Sequence, residues 1–213
     1  MAEALRIRMS TDDRREQLLS AGVELLRMRP HEEVSIEEIA EAAGVSKGLL
    51  YHYFPTKKDF IVAAIERGQR QLTEVLRPDP SLDAEAQLDA SLDGFLDYVE
   101  DHATAYAAIF RGGSGDPEIG AVLEAGHQIQ LNTLMESVGN WEHSPVSTEP
   151  TPQLESAIQG WLFFVEGVVL RWLDQKDLSR DQLRMLLKAA LGGALFAARA
   201  AGAPAPSSGN GSG

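Results

Sequence analysis

Apolar positions recur along most of the chain at three- and four-residue spacing, the period of an α-helix with one buried face. Leu18, Leu19, Val23, Leu25 and Leu26 form the first stripe and predict a helix over 12–28, stopped by Pro30. After the linker RPHEEV, Ser35 and Glu38 stand at capping-box spacing and open a short second helix. Ile36, Ile39 and Ala40 point inward there, while Glu37, Glu38 and Glu41 face water. Gly44 ends it, because glycine accepts the left-handed backbone of a sharp turn. Ser46 caps a third helix, KGLLYHY, which Pro55 breaks; Thr56 and Asp59 form another capping box and start a fourth, running to Arg77. The two short helices cannot be stable alone and must lean on the first and fourth.

A joint at Pro78–Ser81 separates this part from a longer helical one. There the pattern predicts helices over about 82–101 (capped by Ser81 or Asp83), 103–110, 117–138, 153–173 and 179–200, with Ser179 as the last cap. RGGSGDP and GNWEHSPVSTEPTP read as loops, and the tail 201–213 as disordered. No strand pattern and no internal repeat is visible. The expectation is an all-α protein of about nine helices. Its three-helix N-terminal domain covers 12–55. A larger helical domain covers 56–200, with the helix 56–77 linking the two.

Composition narrows the function. The 213 residues carry a net charge of -13, which argues superficially against an anionic partner. The charge is not evenly spread. Residues 1–78 hold 12 basic and 13 acidic side chains, residues 79–213 hold 7 and 19. Within the near-neutral part, residues 42–58, AAGVSKGLLYHYFPTKK, contain three lysines, a histidine and no carboxylate. There is no cysteine, so disulfides and thiolate metal sites are excluded. The five histidines, at 31, 52, 102, 127 and 143, show no metal spacing. GGSG at 112–115 follows no strand, and neither GxSxG nor HExxH occurs, so no enzyme motif stands out. The first fifteen residues lack the apolar region of a signal peptide, and the longest strongly apolar run, WLFFV, falls far short of a membrane span.

Two short helices around Ala43-Gly44-Val45 suggest a helix-turn-helix whose second helix reads DNA. Ser46, Lys47 and the unpaired N–H groups of that helix can meet phosphates, and Gly48 lets the backbone approach closely. Tyr51 and His52 offer polar edges on flat rings. Lys57 and Lys58 stand at a helix start, where cations are disfavoured unless an anion lies opposite.

This block resembles the DNA-binding domain of the TetR family of bacterial transcriptional regulators. The likeness covers roughly 15–62 and rests on Ile39, Ala40, Ala43, Gly44, Val45, Ser46, Lys47, Gly48, Tyr51, Tyr53, Phe54, Pro55 and Lys57. The resemblance implies that Lys47, Tyr51 and Lys57 touch the DNA backbone and that Gly48 sits against it. It points to Lys47, Leu49 and His52 for base edges. Leu49 departs from the family, where a small residue is common; it can cover a thymine methyl or pack in the core. RMRPHEEV replaces the usual glycine-aromatic segment after the first helix.

The resemblance also implies a homodimer built from the last two helices, with Trp161, Val168, Leu187, Leu191, Ala194 and Leu195 as candidate interface residues. Between reader and dimer it implies a pocket for a small organic effector. The candidates are Phe95, Tyr98, His102, Tyr106, Phe110, His127, Trp141, Trp161 and Phe164. The expected protein is a cytoplasmic, non-enzymatic regulator with operator DNA as partner, no membrane association, no cofactor and no metal. It is a repressor released by its effector, or an activator on the same fold.

Overall fold

The computed structural model describes residues 10–112, 116–139 and 151–202. The loop bearing Trp141 and residues 203–213 of the expected tail lie outside these residues, while residues 201–202, expected in the tail, end the last helix. Nine α-helices occupy the described chain: α1 Thr11–Met28, α2 Ile36–Ala42, α3 Lys47–Tyr53, α4 Lys57–Val75, α5 Ala84–Asp101, α6 Ala103–Gly112, α7 Pro117–Gly139, α8 Pro152–Gln175 and α9 Arg180–Gly202. The linker RPHEEV holds a single turn of three-ten helix, His31–Glu33. The chain forms two compact units. Of the described residues, one comprises those up to Glu74 and those within 96–124; the other comprises Val75–Phe95 and those from Ala125 onward.

In the first unit, α1, α2, α3 and α4 close over one apolar core with the start of α7. Leu18, Leu19, Ile39, Leu50, Phe54 and Phe60 are fully buried in it, and Ile119 and Leu123 join them. Each such side chain contributes about 1.5–3 kcal/mol of burial, which is how a seven-residue helix such as α3 persists. Phe54 and Phe60 meet edge to face at 5.0 Å, and the Arg15 guanidinium lies 4.9 Å from the Phe54 ring centre.

The helix starts are fixed by local chemistry. The Ser35 hydroxyl accepts from the Glu38 N–H at 3.2 Å, and Glu38 accepts from the Ser35 N–H at 2.8 Å. Thr56 and Asp59 do the same for α4, with distances of 3.1 and 2.8 Å. Ser10 and Asp13 form a box at α1 as well. This box starts α1 at Thr11, one residue ahead of the start that the apolar stripe predicts. Asp83, not Ser81, receives the α5 start, accepting from the Ala86 N–H at 2.8 Å.

Glu38 is also bound by Arg29, whose Nη1 donates to it at 2.6 Å. The Ser35 N–H, then Arg29, then the Ser35 hydroxyl hold its carboxyl at about 2, below the ordinary 4.5. A folded value below the unfolded one stabilises the fold above the unfolded value, and that contribution is lost as pH falls through the folded one. The thermal midpoint of the protein is therefore expected to lose a Glu38-dependent component between about pH 4.5 and about 2. Glu38→Gln should be less stable at neutral pH and converge on the parent near the acid end. Parallel curves across that window would show that the carboxylate contributes nothing.

In the second unit, α8 and α9 form a hairpin. Lys176, in the left-handed conformation at φ 47°, ends α8. The Trp172 indole donates to the Leu178 carbonyl at 2.9 Å, and Ser179 with Gln182 caps α9. Ile158, Trp161, Val165 and Val169 of α8 are buried, as are Leu183, Leu187, Leu191 and Leu195 of α9. The Trp161 indole donates to the Leu187 carbonyl at 2.9 Å. Of the candidate interface residues, Trp161, Leu187, Leu191 and Leu195 are buried in this hairpin within one chain. Val168 and Ala194 are half-buried. The exposed apolar side chains of the hairpin are Phe163, Phe164, Met185, Leu186 and Phe196.

Among the described residues, α9 is long and apolar enough to cross a membrane by length and composition. Its leucine face is instead covered by α8, and its first turns are ion-paired to α5. Arg184 meets Asp93 at 3.1 Å, and Lys188 meets Glu85 and Asp89 at 2.9 and 3.0 Å.

Candidate nucleic-acid interface

The turn between α2 and α3 is built by backbone hydrogen bonds. The Gly44 N–H donates to the Glu41 carbonyl at 2.9 Å and the Val45 N–H to the Ala40 carbonyl at 3.0 Å. This is the Schellman arrangement, and it requires the left-handed residue that Gly44 supplies at φ +64°. Ser46 then caps α3, its hydroxyl accepting from the Leu49 N–H at 3.2 Å. Leu50 and Phe54, four residues apart, pin the helix to the core. Ser46, Lys47, Gly48, Tyr51 and His52 form the exposed arc. Leu49 and Tyr53 flank it, half-buried. Leu49 is thus neither a core residue nor a fully presented one.

Leu49 also occupies the position where the boxes of α1, α2 and α4 carry Asp13, Glu38 and Asp59. An acid there would complete a fourth box but place a carboxylate beside the exposed arc. The one incomplete box in this set is the one beside the exposed arc.

Gly48 has open space where a side chain would project, with no atom within 4 Å of an ideal Cβ. Nothing inside the chain requires glycine there, so Gly48→Ala is expected to keep or raise the thermal midpoint, since alanine is favoured in helices by about 1 kcal/mol. If the backbone at this point lies against DNA, the same methyl should weaken binding by roughly tenfold, about 1.4 kcal/mol. Unchanged DNA affinity with unchanged stability would remove Gly48 from the interface.

The three lysines of this segment have different intrachain partners. Lys47 is hydrogen-bonded to Glu37, and its ammonium lies 5.6 Å from the Tyr51 ring centre. The bond raises the Lys47 pKa and lowers that of Glu37. Glu37 therefore stands beside the arc, so a segment without acids in sequence is not without them in space. Lys58 turns to Asp116 and Glu118, at 3.1 and 2.6 Å. In the chain without DNA, the anions opposite this helix start belong to the protein itself. Lys57 donates to the Glu32 carbonyl at 3.3 Å and has no carboxylate partner among the described residues.

The proposed effector residues fall into separate sets. In the first unit, His102 stacks on Tyr98 at 4.3 Å, and its Nδ1 lies 2.8 Å from the Tyr98 carbonyl. The Tyr98 hydroxyl donates to the Gly68 carbonyl at 3.1 Å, and burial raises the Tyr98 pKa. Tyr106 lies 4.5 Å from Phe110, and Phe110 packs partly on the N-terminal core. In the second unit, His127 lies 3.3 Å from Glu166 and 5.4 Å, ring to ring, from Phe163; Phe95 is half-buried and Phe164 exposed. No group of three or more metal-ligating side chains occurs among the described residues.

Known proteins resemble this chain in both its N-terminal and its C-terminal part. Residues 18–64 match the model of bacterial regulatory proteins, tetR family, and residues 84–191 match the tetracyclin repressor-like C-terminal domain. A tetR-family transcriptional regulator from Streptomyces coelicolor superposes with a TM-score of 0.79 at 30% identity, over 91% of this chain and 84% of that one. The transcriptional activator FasR of Mycolicibacterium smegmatis is 33% identical over 105 residues, 48% of this chain and 48% of that protein. The transcriptional regulator BetI of Stenotrophomonas maltophilia is 28% identical over 164 residues, 74% of this chain and 80% of that protein.

Proposed function

The chain belongs to the TetR family of bacterial transcriptional regulators, and from that premise we propose that it is a homodimeric repressor released from operator DNA by a small organic effector. The observation that carries the DNA assignment is the exposed arc of α3, Ser46 to His52, held over a buried core and flanked by Lys57. Family membership and helical architecture support a regulatory, non-catalytic role.

One short reading helix gives modest affinity, and pairing two of them one groove turn apart, about 34 Å, supplies the rest. The exposed Phe163, Phe164, Met185, Leu186 and Phe196 favour a second copy as the cover for the α8–α9 hairpin. The stacked Tyr98–His102 pair is the polar-aromatic group proposed to meet the effector. A cytoplasmic location follows from the DNA-binding role.

The test is capture of genomic fragments by the full-length protein. Enriched fragments are expected to share an inverted repeat with half-sites about one helical turn apart. Recovery of random fragments only would overturn the reading. The likeness to FasR, named an activator, favours a second reading on the same reader. Deleting the gene separates them: transcripts beside the captured sites rise for a repressor and fall for an activator.

A further inference from the structure

Two neighbouring lysines begin α4, and their partners differ. Lys57 rests on a backbone carbonyl, 3.3 Å from its ammonium. Lys58 is held by two carboxylates, Asp116 Oδ2 at 3.1 Å and Glu118 Oε2 at 2.6 Å. Asp116 does double duty. Its Oδ1 accepts from the Glu118 N–H at 2.9 Å and so caps the start of α7. Its other oxygen reaches 58 positions back along the chain to the helix that follows the reader.

A carboxylate and a phosphate oxygen offer an ammonium the same kind of charge-assisted hydrogen bond. An ammonium shared with two carboxylates is given up to a phosphate only at the cost of that pairing. We propose that Asp116 and Glu118 set the DNA affinity of this protein by competing with the phosphate backbone for Lys58. The proposal rests on the DNA-binding reading above. It gives the free protein a restrained grip, below what its lysines alone would provide. Coupling of this kind is reciprocal. DNA that draws Lys58 away loosens the first turn of α7, and any event that moves that turn off Lys58 tightens DNA.

The experiment uses the full-length chain and a captured fragment, with affinity measured across a salt series. Four proteins are compared: the parent, Asp116→Asn with Glu118→Gln, Lys58→Gln, and the triple variant. Asparagine at 116 keeps a capping oxygen, thermal midpoints report folding, and Glu118→Gln alone serves if the double variant is unstable. Relief of the competition is expected to tighten binding about two- to fivefold per protomer, the range of an exposed ion pair. The salt slope should steepen by about one per protomer. In the Lys58→Gln background the gain should shrink to less than half. A gain of equal size there would mean that the acids act by general repulsion, and no gain at all would mean that they do not act; either overturns the proposal. Failure of the parent itself to bind captured DNA would instead refute the DNA-binding reading.

Discussion

Adding one methyl group, as Gly22→Ala, is expected to cost about 1–3 kcal/mol, the usual range for overpacking a core. Gly22 is buried on α1 where that helix crosses α2 and α4. A Cβ there would overlap the Phe60 ring and lie 2.8 Å from Ile39 Cγ2. Neither neighbour can give way cheaply. Phe60 is fully buried and braced edge-on by Phe54, and Ile39 is fully buried beneath the turn that aims α3. For a chain of this size each kcal/mol lowers the thermal midpoint by about 2–4 °C. Gly120→Ala provides the control, since its added Cβ meets nothing within 4 Å; it should be neutral or stabilising. An unchanged midpoint for Gly22→Ala would mean that α1 and α4 are not packed as closely as described.

The second large effect concerns function. Removing Tyr51 and Lys57 together is expected to abolish measurable operator binding at physiological salt. Tyr51 is 38% exposed on the α3 arc, so its hydroxyl is available to a phosphate. Lys57 extends the same surface with an ammonium that no carboxylate holds among the described residues. Hydrogen bonds to charged groups contribute about 1.5–3 kcal/mol each, which is at least tenfold per contact. A dimer makes each contact twice. Neither side chain is buried in the core, so the double variant should keep its parent's thermal midpoint. That separates it from Gly22→Ala, in which stability and binding should fall together.

Much of this was legible in the sequence because it is local. The Ser35–Glu38 and Thr56–Asp59 boxes, the Gly44 turn and the Ser46 cap each depend on residues within a few positions, and each was found where spacing put it. The pairings that close over long separations were not legible. Lys58 with Asp116 and Glu118, and Trp161 with the Leu187 carbonyl, require knowing which helices become neighbours. Lys47 with Glu37 crosses a turn whose geometry decides whether the two side chains meet. Periodicity has a related blind spot. It showed that Leu187, Leu191 and Leu195 share one face of α9. It could not show that this face is covered by α8 of the same chain, leaving Phe196 and Met185 outside.

The central claim is that the α3 arc with Lys57 is the surface that meets phosphate. Its most direct test is the salt dependence of binding to a captured operator, measured for the parent and for Tyr51→Ala/Lys57→Ala. The parent should lose affinity steeply with salt, with a logarithmic slope of about 0.9 per phosphate contacted. The double variant should bind far more weakly and with a shallower slope. Undiminished affinity with an unchanged slope would contradict the claim and place the DNA surface elsewhere on the chain.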